Sequence, residues 1–309
     1  MYDQSDPRSA LATTAPAEKV AAPRPVETPF AAAEYGRFYR DPPQLADATG
    51  RSWYFRGQNF VLHFMEANAG ARLIRATQAD EYAVILPDAG SAVAVTAGGE
   101  TQTIEGGNLV FVPPGESAIE VLRPGRIVRL VTTRAADLVE LCANRAAYAE
   151  PHPNIPAFEA WPAPRDGLRI RSYPLDVPAE PGRFGAIYRC TTMMINMLDV
   201  FEGPRDPTKM SPHFHDDFEQ CSLALEGSFM HFIRWPWTTD LTAWREDDKE
   251  LCGSPSVAII PPPAIHTTRA IGEGRNKLVD IFCPPRIDFS QKAGWVLNAD
   301  DYPMPANAG

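Results

Sequence analysis

The sequence predicts an all-β protein built as two antiparallel barrels in tandem. Three observations lead there. The 309 residues break into many short apolar runs punctuated by 31 prolines and 21 glycines, as expected of short strands joined by tight turns. Helical periodicity is confined to residues 133–148, where Leu138, Leu141, Cys142 and Arg145, with Asp137 and Glu140, fit one short amphipathic helix capped by Thr132 or Thr133. An apolar strand running into a proline turn occurs twice, as Leu109-Val110-Phe111-Val112-Pro113-Pro114-Gly115 and as Val257-Ala258-Ile259-Ile260-Pro261-Pro262-Pro263, which indicates an internal repeat.

In chain order, residues 1–30 are rich in Ala, Pro, Thr and charge and are expected to form a disordered arm. They lack the basic segment and apolar run of a secretory signal. No window is apolar enough to span a bilayer, so a cytoplasmic protein is expected. A first barrel is expected over residues 31–150. In it, Trp53-Tyr54-Phe55-Arg56 and Phe60-Val61-Leu62-His63-Phe64-Met65 read as strands. Tyr82-Ala83-Val84-Ile85-Leu86 and Ser91-Ala92-Val93-Ala94-Val95 read as the arms of a hairpin. The proline-rich passage Glu150-Pro151-His152-Pro153 marks the boundary. A second barrel is expected over residues 151–309, with strands at residues 168–173, 187–190 and 229–234. Its insertion, residues 235–244, carries Trp235, Trp237 and Trp244, expected either to form an aromatic lid or to pack at an interface between barrels or subunits.

Charge and cysteine content narrow the partners. A net charge of −10 argues against nucleic acid or an anionic membrane, both of which select basic surfaces. A small anionic substrate needs only a local cation. The five cysteines are scattered without a C-x-x-C pair, which suggests neither a disulfide framework nor a zinc ribbon. Cys221 reads as a buried small hydrophobe or a reactive thiol.

The chemistry concentrates in Ser211-Pro212-His213-Phe214-His215-Asp216-Asp217-Phe218-Glu219-Gln220. On an extended chain His213 and His215 share a face and Phe214 takes the other. Clustered imidazoles suit Zn, Fe, Ni, Cu or Mn. A third histidine, His266, follows the second proline turn. The histidines His63, His152 and His231 stand apart in sequence and read as ordinary solvated or hydrogen-bonded residues.

These two segments resemble the paired motifs of the cupin superfamily, H-x-H-x(3 or 4)-E-x6-G and P-x-G-x2-H. The first is matched by His213, His215, Gln220 and Gly227, with glutamine where most cupins carry glutamate. The second is matched by Pro261, Pro263 and His266, with proline in place of glycine. The resemblance covers roughly residues 50–285 and implies two tandem cupin (double-stranded β-helix, jelly-roll) barrels. It implies one divalent metal ion held by His213, His215, Gln220 and His266 in the second barrel. Aligning the halves places Arg75, Thr77, Tyr82 and Ala118 opposite those four residues, so the first barrel is expected to lack metal ligands and to serve a structural role. Fe(II) is the favoured ion, with Zn, Ni or Mn as alternatives. The function implied is a metal-dependent enzyme on a small polar or aromatic acid, foremost a ring- or C–C-cleaving dioxygenase. A non-redox isomerase, lyase or cyclase and a non-catalytic small-molecule-binding cupin are the alternatives.

Further candidates for a catalytic role are Glu219, His231 and Arg234. Glu219 should point away from Gln220 unless the strand bulges. His231 and Arg234, three residues apart, cannot both face inward from a regular strand. Arg234 would hold a substrate carboxylate through its planar fork or else form a surface ion pair. Exposed barrel edges favour a homodimer or larger homo-oligomer.

Overall fold

A computed structural model describes residues 6–11 and 26–306. Two seven-stranded antiparallel sheets form its centre. The first runs, in spatial order, Arg171–Pro174, Asn108–Val112, Tyr82–Leu86, Gly125–Thr132, Phe60–Ala67, Gly50–Arg56 and Leu45–Asp47, and is closed into a barrel by a four-stranded sheet containing Ala92–Ala97 and Ser117–Arg123. The second runs Glu34–Gly36, Ser256–Ile260, Gln220–Glu226, Arg275–Phe282, Met194–Met197 and Ala186–Arg189, with Phe201–Glu202 also paired to Arg275–Phe282. A three-stranded sheet of Asp248–Cys252, Phe229–Arg234 and Ile265–Ala270 lies with it in the second half.

The large sheets are apolar on both faces because each has a core on either side. Along Phe60–Ala67, Phe60, Leu62 and Phe64 join a cluster shared with Cys221, Leu223, Val279 and Ile281 of the second half. Val61 and Met65 point the other way, into the first barrel with Tyr82, Val84 and Val131. The same alternation divides Gln220–Glu226. Cys221, Leu223 and Leu225 face the first barrel, whereas Gln220, Ser222 and Ala224 face the interior of the second. Near-continuous apolar runs, usual for strands covered on both sides, are explained by this back-to-back packing.

Four expectations need correction. The supposed hairpin of residues 82–86 and 91–95 is divided between two sheets, Tyr82–Leu86 pairing with Asn108–Val112 and Ala92–Ala97 with Glu100–Glu105. The intervening Pro87 and Gly90 let the chain cross from one sheet to the other. The division at residue 150 is crossed twice. Glu34–Gly36 adds to Ser256–Ile260 in the second half, and Arg171–Pro174 adds to Asn108–Val112 in the first. Each exchanged strand covers an edge that would otherwise be open. The helix shortens to Ala136–Val139, followed by a 3-10 turn at Arg145–Tyr148. Of the arm expected to be disordered, residues 1–5 and 12–25 lie outside the described residues. Pro7–Leu11 forms a 3-10 turn, and Phe30 is buried with Trp235, Ile260 and Ala264.

That last contact also settles part of the tryptophan insertion. The Trp235 indole lies under the incoming chain and donates from Nε1 to the Ala31 carbonyl at 2.9 Å. Trp237 and Trp244 stack parallel, 4.5 Å between ring centroids, on the outside.

A buried carboxyl ties the halves together. Glu81 accepts from the Thr191 N–H and hydroxyl, both at 2.9 Å, and from the Tyr302 hydroxyl at 2.7 Å. Burial nevertheless raises its pKa above the ordinary glutamate value. The folded protein therefore holds this proton more tightly than the unfolded chain does. Its contribution to stability is present below the unfolded pKa and is lost as pH rises through the folded one. Denaturant titrations at several pH values should show that falling limb in the wild type and a flatter profile in Glu81→Gln, with lower stability throughout because an amide NH2 replaces an acceptor. Identical slopes would mean that Glu81 does not carry the pH dependence.

No helix among the described residues is long and apolar enough to cross a membrane.

Candidate metal centre

Backbone pairing brings the two histidine segments together. His213 N–H donates to the His266 carbonyl at 3.1 Å and His266 N–H returns the bond at 2.7 Å, an isolated antiparallel bridge. His215, two residues on, falls on the same side, and Phe214 is exposed on the other. Ligand atoms of His213, His215 and His266 lie within 4.8 Å of one another, the one such cluster of His, Cys, Asp or Glu found among the described residues. Gln220, the first residue of its strand, places Oε1 3.0 Å from His215 Nε2 and 3.2 Å from His266 Nε2.

Hydrogen bonding behind the cluster decides which atoms face it. His213 Nδ1 lies 2.8 Å from the Ser211 carbonyl and His266 Nδ1 lies 2.9 Å from the Ala264 carbonyl. A carbonyl can only accept, so these Nδ1 atoms carry the protons and the Nε2 lone pairs turn toward the cluster. Gln220 Nε2 donates to Ser222 Oγ and to Asp280 Oδ1, both at 3.1 Å, and Ser222 Oγ donates to the same Asp280 oxygen at 2.8 Å. This holds Gln220 Oε1 toward the imidazoles. His266 Nε2 and Gln220 Oε1 are thus two acceptors pointed at each other, an arrangement that a cation satisfies. The residues fit a divalent metal with nitrogen and amide oxygen donors, and the carbonyls behind the histidines supply the outer support that metal-binding imidazoles use.

Burial keeps the imidazoles neutral, as ligation requires. It is the main cause holding His213 and His215 well below the ordinary histidine value, reinforced by His266 for His213 and by the Arg286 guanidinium for His215. His266 is lowered to about 4, again mainly by burial. Asp280, buried behind Gln220, is raised by desolvation.

The other candidates lie elsewhere. Glu219 faces the first barrel, accepting from the Gln58 N–H at 2.6 Å and the Tyr148 hydroxyl at 2.8 Å. Strand alternation is kept, so the bulge needed to bring Glu219 inward is not formed. Arg234 points outward and is bonded to Asp247, which places the surface pair where a carboxylate clamp was the alternative. His231 is buried, its Nδ1 2.9 Å from Thr268 Oγ1, on the strand that pairs His266 with Ile233. It belongs to the surroundings of the centre rather than to the ligand cluster. Cys221 faces the inter-barrel core, and burial pushes its thiol well above the usual range, which suits the inert reading.

Asp280 and Ser222 were not singled out from the sequence. The signal was present: Asp280 interrupts the apolar run Leu278-Val279-Asp280-Ile281-Phe282, and a lone carboxylate in a buried strand needs a partner.

In the first barrel Ser117, rather than Ala118, stands opposite Arg75, as His266 stands opposite His213. The proline turn there is one residue shorter, five steps from Val112 to Ser117 against six from Ile260 to His266. One residue of slip changes the face presented. Arg75 is bonded to Asp137 and Gln78, and the Tyr82 hydroxyl lies 3.0 Å from Ser117 Oγ.

The histidine cluster opens onto a cavity of about 430 Å³. Phe184, Phe201 and Phe229 give it apolar walls, and its charged lining is mixed, with Arg8, Arg205 and Lys209 beside Asp6, Asp199 and Asp206.

Two back-to-back jelly-roll barrels give the chain a cupin fold. Solved structures with a similar architecture include AerE from Microcystis aeruginosa (8% identity, TM-score 0.52, covering 77% of this chain and 93% of that one). An oxalate decarboxylase variant from Bacillus subtilis is similar at 12% identity and TM-score 0.53, over 81% of this chain and 77% of that one. The Lactobacillus farciminis oxalate decarboxylase in complex with formate is similar at 14% identity and TM-score 0.51, over 82% and 86%. At these identities the likeness is one of fold. No family model matches the sequence, and no curated protein matches it.

Proposed function

We propose that this chain is a mononuclear metal-dependent cupin enzyme that cleaves a C–C bond in a small polar or aromatic carboxylic acid. The observation that carries the reading is the convergence of three imidazoles and the Gln220 carboxamide oxygen, all neutral, at a cavity whose lining includes cations. His213, His215, Gln220 and His266 would hold the metal, and the first barrel would carry none. A divalent ion supplies Lewis acidity there and, as Fe(II), one-electron chemistry toward dioxygen. The chain's own part is to bind, orient and exclude water. Ser211 and Ala264 hold the His213 and His266 imidazoles in one tautomer, and Asp280 with Ser222 keeps the Gln220 amide turned inward. The phenylalanine walls would pack a hydrocarbon skeleton, and Arg8, Arg205 or Lys209 of the lining would attract its carboxylate. Because no ligand is anionic, the metal would keep its full charge, which favours an anionic substrate.

The ring-cleaving dioxygenase stands first from the sequence, with Fe(II). A non-redox decarboxylase or lyase is the second reading. It is supported by the neutral glutamine, by the likeness in fold to oxalate decarboxylases and by the Mn(II) centres that one of those structures is described as holding. Elemental analysis of protein purified without a metal-binding tag tests the proposal. About one iron per chain, with oxygen uptake on catechols or salicylates, is expected for the dioxygenase. Manganese or zinc with carbon dioxide release and no oxygen uptake would replace it with the second reading. Protein that takes up no metal after reconstitution overturns both.

A further inference from the structure

Residues 6–8, separated by some two hundred positions from the second barrel's histidines, line the same cavity as His213 and His266. Asp6 is held there by a full set of donors. Its Oδ1 accepts from the Arg8 N–H at 2.9 Å and from Arg8 Nε at 3.0 Å. Its Oδ2 accepts from Arg8 Nη2 at 2.8 Å and from the Ser211 hydroxyl at 3.0 Å. Arg205 Nη2 donates to that hydroxyl at 2.5 Å, and the Ser211 carbonyl is the one that orients His213. The Arg8 guanidinium also lies over the Phe184 ring, 4.2 Å from its centroid.

We propose that Asp6 occupies, from within the chain, the place of a substrate carboxylate, and that Arg8 is the specificity-determining residue that grips that carboxylate once substrate displaces Asp6. This deepens the reading of the cavity as an organic-anion site and rests on it. Four donors on one carboxylate, including the two-pronged Nε and Nη2 grip of an arginine, are the geometry by which proteins recognise carboxylates. The simpler account is a local ion pair that merely shapes the turn. Such a pair forms as well in water, where it contributes little. Here the two side chains are 10% and 12% exposed, and desolvating both ions is costly unless the surroundings compensate. Ser211, on the wall of the histidine centre, provides that compensation. Charge points the same way. In place, Asp6 partly neutralises Arg8 and Arg205; withdrawing it shifts a lining that also carries Arg183, Lys209, Asp199, Asp206 and Asp280 toward positive charge.

The two accounts differ in sign, which makes the test direct. Benzoate, a monocarboxylate that chelates metals weakly, is titrated calorimetrically into full-length wild type, Asp6→Asn and Arg8→Gln, each Mn(II)-loaded and chelator-treated. Asp6→Asn removes the internal competitor and should tighten benzoate binding roughly tenfold. Arg8→Gln removes the grip and should weaken it roughly tenfold or more. A turn with only a structural role would move both variants in the same direction, and that result, or an unchanged Kd in Arg8→Gln, overturns the proposal. Benzoate binding to none of the three proteins overturns it as well. Melting curves of each variant check that the fold persists. Dependence on Mn(II) reports separately on the metal reading: opposite signs without any metal uptake would leave the Asp6 and Arg8 roles standing and remove the metalloenzyme.

Discussion

His266→Ala is expected to purify with less than about a tenth of a metal ion per chain and without detectable turnover, while melting close to the wild type. The loss should be large because the substitution removes one of the four proposed donors. Disturbing outer-shell partners alone typically costs 10–100-fold in metal affinity or activity, so deleting a ligand should exceed about 100-fold. The fold should survive because His266 is tied to His213 through main-chain bonds in both directions, which truncation at Cβ leaves in place. His213→Ala should behave alike for the same reason. Elemental analysis with a parallel thermal melt checks both, and a fully metallated, active His266→Ala protein would eliminate the proposed centre.

Gln220→Glu should have the second-largest effect, through charge rather than shape. The Gln220 Nε2 donates to Asp280 Oδ1 at 3.1 Å. A glutamate there would face the Asp280 carboxyl with an oxygen, and two carboxylates at that separation do not both ionise. The metal-free variant is therefore expected to keep a shared proton and to lose stability as pH rises toward neutrality. Metal would displace that proton, so metal should be retained, but the added negative charge should weaken a carboxylate ligand by about tenfold or more. Adding Asp280→Asn replaces the repelled oxygen with an amide donor and should restore much of the lost stability, a non-additivity that a double-mutant cycle reads directly. Unchanged carboxylate affinity in Gln220→Glu would show that residue 220 does not face the metal.

How far the sequence could go is clear at particular residues. Alternation along an extended chain sufficed to put His213 and His215 on one side, to separate Glu219 from Gln220 and to deny His231 and Arg234 a common face. Each is a statement about neighbours a few residues apart, where backbone geometry alone sets direction. The proline turn placing His266 is local in the same sense, and so is the apolar patterning that announces two barrels. Other features depended on which distant surfaces meet. The strand at Arg275–Phe282 is apolar on both sides, so its pattern does not say whether Asp280 turns toward Gln220 or toward the other barrel; packing of the two large sheets decides it. Register across the first barrel's shorter proline turn made Ser117, not Ala118, the counterpart of His266. The exchanged strands at Glu34–Gly36 and Arg171–Pro174 answer open sheet edges that exist only once both barrels have formed. Nothing local to residues 6–8 distinguishes them from the rest of a polar arm. Their carboxylate and guanidinium acquire meaning only from Ser211, Arg205 and the histidine cavity. The sequence by itself determined the fold class, the histidine-bearing segments and the local directions of their side chains. The tertiary structure decided what each face meets, because the free energy of burying a charge or covering an edge depends on partners that backbone periodicity does not encode.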